Sequence, residues 1–337
     1  MHRPRVRAFL RVLAASLAIL FTKRARAQAW LPPQGEAWIS AGYGNSFFSK
    51  HYTGVVDYAG TEDVGHIRSN TIGMAMGYGV TDRFELSVAL PYIISKYWAP
   101  PPTPNTAHPF SDQDDGNYHG TFQDFRFGAS YQVVNNGFVA LSPFFTAVIP
   151  SHDYVYFAHA APGKDLHQYL LGFALGGRLD RLVPGAYAQV VYDYAFVEKV
   201  LGFNLNRSDF GFEAGYFLTP SLSARFIGVG YYMHGGLEYH TPADLLSPDP
   251  PYVTDLFIHH DQIGKSSEVS LGGGLSYVLS GSTELYVSYI RSVYGRDAHK
   301  IDNGISFGVS WNFSPGQVVR RYFAKSSATS KAPTETP

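Results

Sequence analysis

From Asn70 to Ile94, large apolar side chains recur at every second position, twice over. Ile72, Met74, Met76 and Tyr78 precede a short Val80-Thr81-Asp82-Arg83 turn; Phe84, Leu86, Val88, Leu90, Tyr92 and Ile94 follow it. Between them stand Thr71, Gly73, Ala75, Gly77, Glu85, Ser87 and Ala89. A period of two predicts strands with two chemically different faces. Two of them on a short Asp-containing turn predict a hairpin. In a soluble sandwich the large apolar face packs inward and the outer face carries Lys, Glu and Thr. Here the second face is Gly, Ala and Ser with an occasional charge, which fits a barrel whose apolar outside meets lipid and whose inside is crowded or wet.

The alternation recurs along the chain. A first strand is expected near 36–48, with Ala37, Ile39, Ala41 and Tyr43 on one face. A fourth is expected at about 121–133 and a less regular fifth at about 138–149, where Phe144 and Phe145 put bulk on both faces. Further strands carry Tyr169, Leu171, Phe173, Leu175 and Leu179; then Val190, Tyr192, Tyr194 and Phe196; then Phe210, Phe212, Ala214 and Tyr216. A ninth covers about 222–233, and the last three centre on Leu271–Leu279, Leu285–Tyr289 and Ile305–Phe313. Connections alternate between short (79–83, 134–137, 180–185, 219–221, 280–282) and long (49–66, 99–120, 151–167, 198–207, 234–265, 295–303). Short periplasmic turns, long outer loops and an even strand number are habits of outer-membrane barrels. The expected fold is therefore all-β: a transmembrane antiparallel up-and-down β-barrel of about 12 strands, with both ends in the periplasm.

Composition points the same way. The 337 residues are 45% hydrophobic, 15% aromatic and 16% charged, against about 25% charged in ordinary globular chains. Mean hydropathy is −0.10, and no uninterrupted apolar run reaches the roughly 18 residues of a spanning helix. Residues 1–27 read as a cleaved signal peptide: Arg3, Arg5, Arg7 and Arg11, an apolar Val12–Phe21 core, then Ala25-Arg26-Ala27 before Gln28. The chain holds 26 basic and 27 acidic residues; the leader takes seven of the basic ones and no acidic one, leaving 19 against 27, a net charge near −8. That balance argues against a nucleic-acid partner. With no cysteine there is no disulfide framework. The barrel is assigned to 28–313, and 314–337, rich in Ser, Thr, Lys and Pro, is expected to be a disordered polar tail.

Strand parity assigns candidate chemistry. Glu85, Asp124, Arg126, Arg178, Asp193, Asp209, Glu213, Arg225, Glu268 and Glu284 fall on the inward face as candidate pore-lining residues. An Arg or Lys facing lipid near the bilayer midplane costs roughly 2–4 kcal/mol, which enforces that parity. The many inward Gly and Ser residues suggest open space. The alternative is a closed interior braced by ion pairs. The leader-free chain has twelve histidines, all in expected outer loops or at their edges, with His259-His260-Asp261 the tightest group. None has zinc-site spacing, and no metal or other cofactor is assigned. Asp112, Asp114 and Asp115 read as a solvated acidic patch. A lipid hydrolase of the outer-membrane phospholipase or lipid A deacylase type needs a lipid-facing Ser and His on one face or on adjacent strands. His66 and Ser69 are three apart and fall on opposite faces. There is no Gly-x-Ser-x-Gly elbow, and Gly264-Lys265-Ser266 lacks the upstream glycine of a phosphate loop. No catalytic residue is assigned.

The stretch Gly77-Tyr78-Gly79-Val80-Thr81-Asp82-Arg83-Phe84, continuing Glu85-Leu86-Ser87-Val88-Ala89-Leu90-Pro91-Tyr92, resembles a proteobacterial barrel family. That family is named for its association with the meta-pathway of phenol degradation, and its members are often called transporters. The resemblance implies a monomeric outer-membrane channel for aromatic or hydrophobic compounds and supplies no catalytic residues. The Ile305–Phe313 ending, aromatic-x-aromatic, resembles the signal read by the barrel-assembly machinery, although here the chain continues past it. The expected function is a passive outer-membrane channel for small molecules, since neither a nucleotide motif nor a separate plug domain is visible. At most the Gln28–Gly35 lead reaches into the lumen. Expected partners are outer-membrane lipid and lipopolysaccharide, the assembly machinery and a small-molecule solute. A lipid hydrolase or a structural or adhesive surface barrel is the alternative.

Overall fold

A computed structural model describes residues 29–99, 112–245, 247 and 254–317. The leader, His108 and 318–337 lie outside them. Twelve long strands make the wall: β1 (Ala37–Tyr52), β2 (His66–Thr81), β3 (Phe84–Trp98), β4 (Asp124–Tyr131), β5 (Val139–Pro150) and β6 (Gln168–Arg178), then β7 (Ala186–Val197), β8 (Arg207–Phe217), β9 (Leu222–Met233), β10 (Ser267–Ser280), β11 (Thr283–Arg296) and β12 (Ala298–Phe313). Every strand pairs antiparallel with its neighbour in the chain from β2 to β12, and β12 pairs with β1. β1 lies along β2 and closes the ring. At the periplasmic end of that seam Gly35 N–H donates to Gly79 O (2.8 Å) and Gly79 N–H to Glu36 O (2.9 Å). Closure brings the two edges of the sheet side by side, as backbone in lipid requires.

The faces are those the alternation demands. Ile72, Met74, Met76, Tyr78, Leu86, Phe127, Phe145, Leu171, Phe210, Phe226, Leu275, Val287 and Ile305 are exposed on the outside, while Ala75, Ala140, Ala174 and Ala195 are buried inside. Near the periplasmic edge the belt carries Tyr78, Tyr131, Tyr216, Tyr277 and Trp311, all exposed, as expected of an interfacial aromatic girdle.

The short turns follow local chemistry. In Asn135-Asn136-Gly137, Gly137 takes φ 81°, and Asn136 Oδ1 accepts from the backbone of Phe138 (3.0 Å) and Val139 (2.8 Å). The fourth strand is split: His119–Phe122 pairs with the top of β3, β4 starts at Asp124, and Gln123 lies between. Pro91 of β3, which has no N–H to give, accepts from Gln123 N at this break (3.0 Å).

Two outer-end expectations are revised. β1 runs four residues past Phe48, and the expected 295–303 loop is strand on both sides of a tight turn at Asp297, φ 48°. The β1–β12 ladder continues through Lys50–Lys300, His51–His299 and Tyr52–Ala298, after register shifts at Phe47–Phe48 and Phe48–Lys50. The long 234–265 connection carries two single-turn helices, Asp255–Ile258 and His260–Ile263, the first capped by Thr254 Oγ1 accepting from Phe257 N–H (3.1 Å). Leu166, Leu205, Met233 and Ile263, each at most 4% exposed, form a small core beneath this loop layer.

Candidate functional site

The interior is built from both ends of the chain and from most of the strands. Glu85, Asp124, Asp193, Asp209 and Arg225 are buried on the inner face. Arg126, Glu213, Glu268 and Glu284 are half-buried there. Arg178 sits at the periplasmic rim with its side chain 59% exposed, and its Nε donates to Asp180 (2.8 Å).

Most inward charges are answered locally. Arg225 Nη1 lies 3.4 Å from Glu213 Oε2, and Tyr187 O–H donates to Glu213 Oε1 (2.8 Å). Asp193 and Asp209 stand directly opposite across β7 and β8. Arg207, which the sequence reading leaves at a loop end, points the same way: its Nε donates to Asp209 (2.9 Å) and its Nη2 to Gln168 Oε1 (2.7 Å). Parity with Asp209 is the signal that finds it. Trp38 Nε1 donates to Glu85 (3.3 Å), Tyr154 O–H donates to Asp124, and Ser270 Oγ donates to Glu268 (2.9 Å). From β9 to β12 the wall carries serine pairs, Ser223–Ser276 (2.8 Å) and Ser288–Ser306 (2.5 Å).

The lead crosses the periplasmic mouth. Pro32 and Pro33 run over Gly79, where a Cβ would come within 2.2 Å of the Pro33 carbonyl oxygen. On the far wall Ala29, fully buried, packs with Ala140 and Ala174. Its N–H donates to Gln189 Oε1 (3.3 Å), and its carbonyl accepts from Gln132 Nε2 and Ser142 Oγ, both at 2.7 Å.

Several inward glycines hold rings, so part of the space their small side chains leave is filled. A Cβ on Gly176 would lie 2.4 Å from the Trp30 indole, one on Gly215 would lie 2.2 Å from the Tyr187 ring, and one on Gly77 would lie 2.4 Å from Trp38 Nε1. Beside the lead a cavity of about 510 Å³ remains, lined by Trp30, Tyr187, Phe217, Glu213 and Glu284 among others. A space of that size, lined by three rings and by the charged or polar Arg178, Asp180, Gln189, Glu213, Ser223, Ser276 and Glu284, suits a small molecule.

The outer mouth is covered by loops tied through ionisable groups. Asp114, 1% exposed, accepts from the backbone of His159 (2.9 Å) and Ala160 (3.0 Å), so it is an anchor and not part of a solvated patch. His51 and His299 rings are 4.9 Å apart and His159 and His299 6.3 Å apart. His259 Nδ1 pairs with Gln262 Oε1 (2.6 Å) and His260 Nδ1 with Phe257 O (2.6 Å). Among the described residues no group of three or more His, Asp or Glu is placed to hold a metal ion. His66 is exposed, next to Phe47 on the outer face, and Ser69 shares the parity of buried Ile67, so the two are on opposite faces.

No protein-family model matches the chain, and no curated protein matches its sequence. Among solved structures, the COG4313 outer membrane channel from Pseudomonas putida F1 aligns with TM-score 0.61 at 13% identity, covering 85% of this chain and 98% of that one. The fold is that of an outer-membrane barrel. The NanC porin (TM-score 0.45, 11% identity, 81% and 98% coverage) and the CymD monoaromatic hydrocarbon channel (TM-score 0.40, 10% identity, 87% and 93% coverage) are more distant.

Proposed function

We propose that this chain is a passive channel in the bacterial outer membrane, and that its solutes are small aromatic or hydrophobic compounds. The observation that carries the channel reading is the division of faces: an apolar exterior belt, interrupted by the exposed Arg291 opposite Leu271, around an interior of charges, hydroxyls and amides. Paired charges alone would equally suit a closed, braced interior; the space of about 510 Å³ beside the lead favours passage. The ten inward or rim-facing charges are read as the groups that set selectivity, with Arg207 added to them. The solute class rests on the 510 Å³ cavity, where Trp30, Tyr187 and Phe217 offer ring faces at the periplasmic exit, and on the resemblance of 77–92. Passage is driven by the solute gradient, and the chain acts as a monomer exported by its leader.

The test is single-channel recording in planar bilayers together with swelling of proteoliposomes in benzoate, toluate, sugars and nucleosides. Ion conductance with faster entry of the aromatic acids is expected. Absence of both conductance and flux sinks the channel; conductance with sugars entering as fast as aromatic acids sinks the solute class alone.

A further inference from the structure

Where β7, β8 and β9 reach the extracellular edge of the apolar belt, three side chains meet on the outer face. Ser208 Oγ is 2.9 Å from His234 Nε2, and the Tyr192 hydroxyl is 3.0 Å from the same Oγ. With His234 in the tautomer that leaves Nε2 unprotonated, Tyr192 O–H donates to Ser208 Oγ and Ser208 O–H donates to Nε2, the order a nucleophile–base pair uses. The imidazole is clamped between the stacked Tyr194 ring (5.4 Å, 22°) and the edge-on Tyr232 ring (5.4 Å, 74°). His234 N–H donates to Asn206 O (2.9 Å), which fixes the residue at the end of the β8–β9 ladder. Ser208 shares its face with exposed Phe210 and Phe212, Tyr192 shares its face with exposed Phe196, and His234 follows exposed Tyr232. The cluster therefore faces the bilayer edge and not the lumen. Ser208 and His234 are 26 residues apart in sequence, and only the β8–β9 register joins them.

A serine hydroxyl hydrogen-bonded to an imidazole that can take its proton is a nucleophile–base pair, and a phenol beside the reacting atom can donate to a developing oxyanion. We propose that Ser208, His234 and Tyr192 form a second site, independent of the pore, that cleaves ester-linked acyl lipids of the outer leaflet. The position selects the substrate. Acyl chains would lie along Tyr192, Phe210 and Phe212, on the bilayer side of Ser208, and ester linkages at the edge where acyl chains meet head groups. In the first step Ser208 Oγ bonds to the ester carbonyl carbon, its proton passes to His234 Nε2, and Tyr192 O–H holds the oxyanion. The acyl C–O bond, between the former carbonyl carbon and the alkoxy oxygen, then breaks, and the leaving oxygen takes the proton from the imidazolium. Water, deprotonated by the same imidazole, releases the acyl group as a carboxylic acid and restores the serine.

The experiment uses the full chain, refolded in detergent, with phosphatidylethanolamine and with lipopolysaccharide as separate substrates, and with a fluorophosphonate probe for the serine. Fatty-acid release and probe labelling are expected for the wild type. Release should fall about a hundredfold in His234→Ala, the scale of losing a general base, and to background in Ser208→Ala. Tyr192→Phe should keep labelling while slowing release. Ser208→Ala should keep wild-type heat-resistant migration on gels and wild-type conductance, which separates chemistry from folding and from the channel. Equal release by wild type and Ser208→Ala overturns the proposal. Labelling of Ser208 without release from either lipid overturns its substrate class.

Discussion

At the periplasmic end the mouth is crossed by the chain's own lead, held by the amides of Gln132 and Gln189 and the hydroxyl of Ser142, with its own Trp30 indole seated on Gly176. At the outer end the mouth is covered by loops from distant parts of the chain, joined through Asp114, Asp297, Lys164, His51, His159 and His299. The periplasmic closure is one strand of backbone held mostly by neutral amide and hydroxyl contacts, with Gln34 N–H donating to the Asp82 carboxylate (2.9 Å), so it carries fewer titratable groups. The outer closure has buried carboxylates, a lysine and clustered imidazoles, so its packing is linked to pH. Steric changes should therefore act most at one end and charge changes at the other.

The largest effect expected is at the periplasmic end. Gly79→Val and Gly176→Val together place side chains where the Pro33 carbonyl and the Trp30 indole now lie. Both positions are in the wall, where a β-branched residue suits the strand, so the lead is the part that must move. Single-channel conductance should rise severalfold. Unchanged conductance would mean that the lead is no obstruction, and the contrast between the two ends would fail there.

How far the sequence reaches also differs between the ends. Within the lipid belt each outward residue must be apolar, so Met74, Met76 and Leu86 declare the strands and their parity without help. Above the belt both faces may be polar. There Lys50, His51, His299 and Lys300 read as loop although they continue the β1–β12 ladder. Parity is further scrambled by the register shifts around Phe48. Inward charges were legible because lipid excludes them from the other face; Arg207 was hidden only by a strand start drawn one residue too late. The lead and the Ser208–His234 contact were not legible. A glycine that gives space and a glycine that seats a ring are the same letter, as Gly176 and Gly215 show, and a cross-strand pair needs a register that alternation alone does not supply.

A smaller effect is expected at the outer end from Asp114→Ala. Its carboxylate takes two backbone N–H groups, His159 and Ala160, from a loop 45 residues away. Hydrogen bonds to a charged group contribute about 1.5–3 kcal/mol each, and the amides left behind are partly or wholly buried. The tie between the 99–118 and 151–167 loops should weaken by about 2–4 kcal/mol, read as faster hydrogen exchange at 158–161 and cleavage by added protease there. The barrel below should keep its heat resistance, because the strand ladders do not pass through Asp114. Loss of the folded barrel would show that the outer closure is part of the wall's stability.

The smallest effect, and the one that tests the charge argument most directly, is Asp297→Asn. The Asp297 carboxylate is enclosed so closely that a Cβ on Gly264 would lie 2.0 Å from Oδ2 and one on Gly54 2.6 Å from Oδ1. Burial pushes its pKa up, while His51 and Lys164 draw it part of the way back; Asp261 nearby is raised for the same first reason. A carboxyl raised in the packed state binds its proton more readily there than in an opened loop. Asp297 thus contributes stability to the packed outer closure as pH falls from neutral towards the ordinary carboxyl range, whereas His299, whose pKa burial and His51 hold well below its usual value, acts in the opposite sense on the same acidification. Asparagine has nearly the same shape, tolerates the positive φ of this turn, and carries no charge to desolvate. Asp297→Asn should slow hydrogen exchange in 254–265 at pH 7.5 and remove part of the tightening that the wild type shows on acidification. Asp261 supplies the remainder, which the Asp261→Asn, Asp297→Asn double variant should abolish. If Asp297→Asn instead loosens the loops at pH 7.5, then the attraction of Lys164 and His51 for the charged carboxylate outweighs its burial, and acid should open this end of the barrel where the argument here has it close.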